Sequence, residues 1–241
     1  MTTFAGSGTS SIVDGTGTDA SFSYFASIQY VSGCFYVVDG YTLRKITTGA
    51  VVTTISSTDN DNKVVLGPLS GASIFSASSS RASFVDGTSL YITDVLLDGI
   101  YKIDDVTAGS PQVSWEFPLP PGSDDGTADA ARFTVPEHVA RRSDGSLVIS
   151  ERNVHTLRIV TSAGIVTTLG TYGSSATYFA YASFVTLGAA NTVYFVSQAR
   201  KIYAISPVDN SHTHHALTYG DWSDDGNAMT SSTGSIWAMC Y

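Results

Sequence analysis

FYVVDG (35–40), LYITDV (90–95), LVISER (147–152), VYFVSQ (193–198) and IWAMCY (236–241) are five copies of one hexapeptide shape. β-branched and aromatic residues recur in them, which suit a pleated strand. Aligned at their fifth positions, Asp39, Asp94, Glu151, Ser197 and Cys240, the copies lie 55, 57, 46 and 43 residues apart. A period of that size is one supersecondary unit repeated along the chain.

The flanks repeat with the hexapeptide. A basic-apolar strand follows it in four units, TLRKI (42–46), IYKI (100–103), TLRIV (156–160) and KIYAI (201–205). A further strand comes after a turn: VVTTI (51–55), VSWEF (113–117), IVTTLG (165–170) and THHAL (213–217). Another precedes the hexapeptide: ASIQYV (26–31), RASFV (81–85), HVARR (138–142) and ASFVTL (182–187). Four strands per unit, a to d, with Gly- and Asp-rich turns between them, predict a β-propeller of about five blades. The units run roughly 7–55, 56–117, 118–170, 171–217 and 218–241 plus 1–6, within one domain spanning 1–241.

The segments joining strand d to the next strand a also recur, as AGSGTSSIVDGTGTDASF (5–22), PGSDDGTADAARF (121–133) and YGDWSDDGNAM (219–229). They read as loops. With the LYV-x-D, LRKI and G-x-VTT elements they resemble the NHL repeat, and the resemblance covers essentially the whole chain. Units one and three match best; units two and four lack the Asp-Gly-x-Gly loop or the Asp/Asn-rich turn after strand b. The resemblance implies an NHL-type propeller, a fold whose members are mostly binding platforms and occasionally enzymes.

Ring closure is the next expectation. MTTFAG (1–6) aligns with the d strand TTLGT (167–171), so the N-terminal strand is expected to complete the last blade. That blade supplies strand a near 228–233 and strand b at 235–241, and its strand c is missing. Three explanations stand: the N-terminal strand sits beside strand b, the natural chain continues, or another chain donates the strand. The last leads to self-assembly through the incomplete blade; an excerpted chain leads instead to a six-bladed ring.

Composition narrows the partners. The 241 residues are 43% hydrophobic and only 14% charged, with a net charge of −9. Nucleic acid is therefore not an expected partner, because phosphate binding depends on clustered lysine and arginine. No stretch reaches the roughly 18 apolar residues of a membrane span, and MTTFAGSGTSS (1–11) lacks the layout of a secretory leader. Abundant serine and threonine and scarce lysine lean toward an extracellular setting; the compartment stays open. Cys34 and Cys240 are either free thiols or a disulfide: ring closure brings their blades together, but they start and end the hexapeptide, which strains the ~7 Å Cα limit of a bridge.

Three groups of residues are candidates for chemistry. Asp14, Asp19, Asp124, Asp125, Asp129, Asp221, Asp224 and Asp225 gather in the d-to-a loops. They read as turn residues, with calcium ligation as the alternative. His212, His214 and His215 cluster on an outer strand, where His212 and His214 share a face, while His138 sits alone on a channel strand and His155 elsewhere. The resemblance brings in a zinc lyase whose histidines come from several blades, which makes His138, His212 and His214 the metal candidates; solvated histidines are the plainer reading, and no cofactor is expected.

Loop aromatics supply the binding expectation. Tyr24, Phe25, Tyr172, Tyr178, Phe179, Tyr181, Tyr219 and Trp222 fall in or beside the d-to-a loops, and of these Tyr178, Phe179, Tyr181, Tyr219 and Trp222 are the expected ligand residues. Phe22, Phe75 and Phe133 are read as packing between blades. The function expected is a noncatalytic protein- or glycan-interaction or structural module, as a subunit of an extracellular assembly or filament. The alternative is a metal-dependent lyase or hydrolase of the propeller type.

Overall fold

The computed structural model describes residues 2–57, 65–72, 80–117, 121–127, 129–171, 183–197, 201–205 and 212–215. The described residues are almost entirely β, and none of their helices is long and apolar enough to cross a membrane. The chain divides into two units, residues 1–121 and 122–241.

The first unit holds two antiparallel sheets. One contains β1 (Gly15–Thr16), β2 (Phe25–Val31), β3 (Cys34–Asp39), β4 (Thr42–Thr47) and β5 (Val51–Ser57), in the order β1-β5-β4-β3-β2. The other contains β6 (Gly67–Pro68), β7 (Ser80–Asp86), β8 (Ser89–Asp94), β9 (Gly99–Asp104) and β10 (Gln112–Phe117), in the same order. Consecutive strands pair through short turns, as sequence-local hairpins do.

Period-two alternation decides what these sheets bury. On β3, Tyr36 and Val38 point to one face and join Leu43, Leu90, Ile92, Tyr101 and Ile103 in the core between the two sheets. Val37 points to the other face, with Ala20, Ile46 and Val52. The buried Tyr36 hydroxyl donates to the Val106 carbonyl at 3.0 Å, satisfying a polar group inside that core. Ser27 and Ser83 hydroxyls meet at 2.6 Å, and Gln29 Nε2 donates to the Ser83 carbonyl at 2.7 Å, tying β2 to β7.

The second unit repeats the plan. Its third sheet contains β11 (Gly126–Thr127), β12 (Pro136–Arg141), β13 (Leu147–Glu151), β14 (Thr156–Val160) and β15 (Ile165–Thr171), ordered β11-β15-β14-β13-β12. The fourth contains β16 (Ser183–Leu187), β17 (Val193–Ser197), β18 (Lys201–Ile205) and β19 (His212–His215), ordered as in sequence. Val148 and Leu157 pack with Val185, Val193, Phe195, Tyr203 and Ile205 to close the core between them. Ser143 N–H and hydroxyl both donate to Asn191 Oδ1, at 2.9 and 3.0 Å, joining the two hairpins at one end.

The a-b-c-d order expected from the repeat is present in all four sheets. Two expectations are corrected. The DGT segments are more than loops: Gly15 and Thr16 pair with Val52 and Val51, and Gly126 and Thr127 with Val166 and Ile165, each adding a short fifth strand. Residues 2–6 form no strand. Gly6 N–H donates to the Gly17 carbonyl at 2.9 Å, Ser7 N–H to Ala20 at 2.8 Å, and the Phe4 ring stands edge-on to Phe35, so this segment lies along the first sheet. The fifth unit at 218–241 lies outside the described residues.

Candidate functional site

The conserved shape of the first and third sheets comes from a buried arginine in the middle of strand c. Arg44 faces Val37 and Thr54 across the sheet, and Arg158 faces Ile149 and Thr168 in the same way. Just past each pairing the register slips at a bulge in strand d, at Ile55 and Leu169. Such a bulge re-aims neighbouring groups.

Arg44 is fully buried. Its Nη1 donates to Asp39 Oδ2 at 3.0 Å and to the Ser21 carbonyl at 3.2 Å; its Nη2 donates to Asp14 Oδ1 and the Val13 carbonyl, both at 2.9 Å. Arg158 copies this: Nη1 reaches Glu151 Oε2 at 3.0 Å and the Arg132 carbonyl at 3.1 Å, and Nη2 reaches Asp125 Oδ1 at 2.7 Å and the Asp124 carbonyl at 2.8 Å. A phenylalanine lies beneath each guanidinium, Phe22 at 5.2 Å and Phe133 at 5.3 Å, within cation–π range. The outer acid is fixed from strand d as well, since Thr54 and Thr168 each donate N–H and hydroxyl to it. Four segments thus converge on one cation: loop, strand b, strand c and strand d.

Burial pushes the Asp14 and Asp125 carboxyls up, but the threonine hydrogen bonds and the arginine charge outweigh it and hold both below the usual carboxylate range. The turn-residue reading of Asp14 and Asp125 is therefore corrected: they anchor buried arginines. Phe22 and Phe133 likewise pack under the arginine of their own sheet.

The second sheet changes all three outer positions together. Register places Tyr101 where Arg44 and Arg158 stand, Trp115 where Thr54 and Thr168 stand, and Leu66, one residue before Gly67, where Asp14 and Asp125 stand. Burial, aided by the charge of Asp94, pushes the Tyr101 phenol far above its usual range, so it stays neutral. The fourth sheet also has tyrosine there, Tyr203 opposite Phe195. The signal that finds this device in sequence is joint: Asp, Arg and Thr occur as a set or not at all.

What these clamps leave outside is aromatic. Tyr24 is 52% exposed, Phe25 61%, Tyr30 59% and Tyr41 38%. Isolated exposed apolar groups are ordinary, but several on one strand mark a surface with a use. Tyr30 packs on Phe35 at 5.1 Å and Phe25 on Phe22 at 4.9 Å. Ile28, 59% exposed, shares the outward face with Tyr30.

His138 sits half-buried on β12, its N–H donating to Ser150 Oγ at 3.2 Å and its ring 4.3 Å from that of Phe184. Phe184 holds a positive φ of 49°, uncommon for a bulky residue. Burial pushes the imidazole down to about 4. The expected result of an NMR titration is a His138 Cε1–H midpoint near 4 in place of the ordinary ~6.5. Between those values the unfolded chain binds the proton and the folded one does not, so this contribution to stability is complete above ~6.5 and is lost as pH falls toward 4. A midpoint at 6 or above would show an imidazole open to water.

The remaining sequence candidates divide. His212 and His214 lie on the outer strand β19, opposite Ile205 and Tyr203 in register. Cys34 opens β3 and carries a free thiol. Tyr178, Phe179, Tyr181, Tyr219, Trp222 and Cys240 lie outside the described residues, as do Asp221, Asp224 and Asp225. Among the described residues no three His, Cys, Asp or Glu side chains are grouped to hold a metal ion.

No family model matches the chain, and no curated protein matches it. Solved structures do. A catalytically inactive virginiamycin B lyase from Staphylococcus aureus with quinupristin superposes with a TM-score of 0.56 at 13% identity, covering 81% of this chain and 56% of that one. A streptogramin B lyase gives 0.54 at 14%, covering 80% and 54%. The extracellular domain of the hybrid two-component system BT3049 from B. thetaiotaomicron gives 0.56 at 15%, covering 81% and 25%. This chain spans about half the length of the two lyases. These neighbours are β-propellers, and at such identities the likeness establishes one thing: the chain has the β-propeller fold.

Proposed function

We propose that the chain is a noncatalytic interaction module, an NHL-type propeller of five repeat units that offers aromatic surface to a protein or glycan partner in an extracellular assembly. The observation that supports it most is the division of labour in the first sheet. Its acidic groups Asp14 and Asp39 are engaged by Arg44, whereas Tyr24, Phe25 and Tyr30 face water. Amphipathic rings on a rigid frame bind partners at low entropic cost.

A second reading, a metal-dependent lyase of propeller type, is favoured by His138. An imidazole kept neutral down to about 4 presents an unprotonated nitrogen to a metal ion. Elemental analysis of the purified chain separates the two. A metal-free protein is the expected result; one zinc per chain, lost on His138→Ala, would establish the lyase reading in its place.

A further inference from the structure

The third sheet provides a control for the first. In both, the inner acid of the clamp grips the entry to strand a: Asp39 Oδ1 accepts from the N–H groups of Ser23 and Tyr24 at 2.8 and 2.7 Å, and Glu151 Oε1 accepts from Thr134 N–H at 2.6 Å. In both, the residue after that acid closes the same corner, with Gly40 N–H donating to the Tyr24 carbonyl at 2.7 Å and Arg152 N–H to the Val135 carbonyl at 3.1 Å. Phe25 pairs with Asp39 where Pro136 pairs with Glu151. The two corners share the hydrogen bond from the residue after the acid but differ in backbone, Val135 taking a φ of 51° that Tyr24 does not; one carries Tyr24 and Phe25 and the other Val135 and Pro136. The corner closes without rings, so its hydrogen bonds do not call for them, although Phe25 also packs on Phe22.

Tyr41 joins them from the adjoining turn, where Gly40 takes a φ of 60° that few other residues tolerate. Among the described residues, their surroundings carry hydroxyls, and the neighbouring acids are engaged by Arg44. Ser10 and Ser23 border Tyr24, with the Ser10 hydroxyl 3.4 Å from the Ser23 carbonyl, and the segments SGTSSIV (7–13), ASFSYF (20–25) and GYT (40–42) contain no ionisable acid or base besides tyrosine. The nearest carboxylates, Asp14 and Asp39, are held by Arg44.

We propose that this end of the first sheet binds a neutral saccharide, with Tyr24, Phe25 and Tyr41 as stacking rings and the Ser10 and Ser23 hydroxyls as partners for sugar hydroxyls. The inference rests on the interaction-module reading. Aromatic faces match the C–H faces of a pyranose, and hydroxyls match its rim. The segments 7–13, 20–25 and 40–42 bring no lysine or arginine, and the chain's net charge is −9, which disfavours uronates and sulfated sugars. Because the corner is fixed by hydrogen bonds to the buried carboxylate of Asp39, the rings bind without ordering a loop first.

The test is calorimetric titration of the whole chain with cello-, xylo-, manno-, laminari- and chitohexaose, with trigalacturonate as the acidic comparison. At least one neutral hexaose is expected to bind. Its affinity should fall about ten-fold or more in Tyr24→Ala and in Phe25→Ala, as for central aromatic contacts, and stay unchanged in Tyr30→Ala. Tyr24→Ala should melt like the parent, which separates lost binding from lost folding, whereas Phe25→Ala also gives up its contact with Phe22 and is read beside its own melting temperature. Three outcomes overturn the site: no neutral sugar binding at millimolar concentration, binding indifferent to both substitutions, or preference for trigalacturonate. Any of them leaves the interaction-module reading standing, since that reading fails on stoichiometric metal instead.

Discussion

Arg44→Met is expected to destabilise the protein by about 3–5 kcal/mol, the cost of leaving a buried charge without its partner. Asp39 is fully buried and would lose the guanidinium while keeping only the Ser23 and Tyr24 N–H groups. Asp14 would lose its link to strand c and hold only Thr54, loosening the loop at β1. Urea unfolding followed by circular dichroism measures the effect, and Arg158→Met should match it, because Glu151 and Asp125 repeat the arrangement. A loss below about 1 kcal/mol, the range of exposed pairs, would show that the clamp is incidental.

The second sheet makes the prediction sharper. Changing Asp14→Leu, Arg44→Tyr and Thr54→Trp together writes the Leu66, Tyr101, Trp115 set into the first sheet. It should recover at least half of what Arg44→Tyr alone loses, since Leu66, Tyr101 and Trp115 hold these three positions in the second sheet while its acid Asp94 is buried. Asp39 would then stand as Asp94 does, a buried acid accepting from nearby backbone N–H groups, in that case those of Leu96 and Leu97. Simple additivity of the three single changes would sink the idea that the positions act as one set.

Phe133→Ala is expected to cost about 3–5 kcal/mol, the range for a large buried aromatic, as it opens a cavity beneath the Arg158 guanidinium. The Phe133 side chain is 1% exposed. Phe22→Ala should cost less, about 1–2 kcal/mol, because Phe22 is only half-buried and loses chiefly its contacts with Arg44 and Phe25. Denaturant midpoints of the two variants decide this. Equal losses would mean that burial does not set the size of the effect.

The contrast between Phe22 and Phe133 also shows where sequence reading reaches its limit. Both close a nonapeptide that begins with DGT, DGTGTDASF and DGTADAARF, and both meet an arginine. Their different exposure depends on what covers each sheet, which no local pattern encodes. The fifth strands were missed for a related reason: two residues of Gly and Thr carry no alternation, and they pair only because strand d lies beside them. The expected strand at residues 1–6 failed in the opposite way. Its TT resembles strand d, yet the Phe4 ring finds Phe35 and Gly6 finds Gly17.

By itself the sequence determined the repeat and the four-strand order within the four described units, because these follow from apolar alternation and turn chemistry over a few residues. Only the tertiary structure decided the use of the charges. Asp14 and Arg44 stand 30 residues apart, and Asp125 and Arg158 stand 33 apart. An aspartate before glycine reads as a turn until a distant strand brings a guanidinium to it. The physical reason is the range of the interaction: pattern and turn preference act between neighbours in the chain, while a buried charge is answered by whatever the fold places next to it.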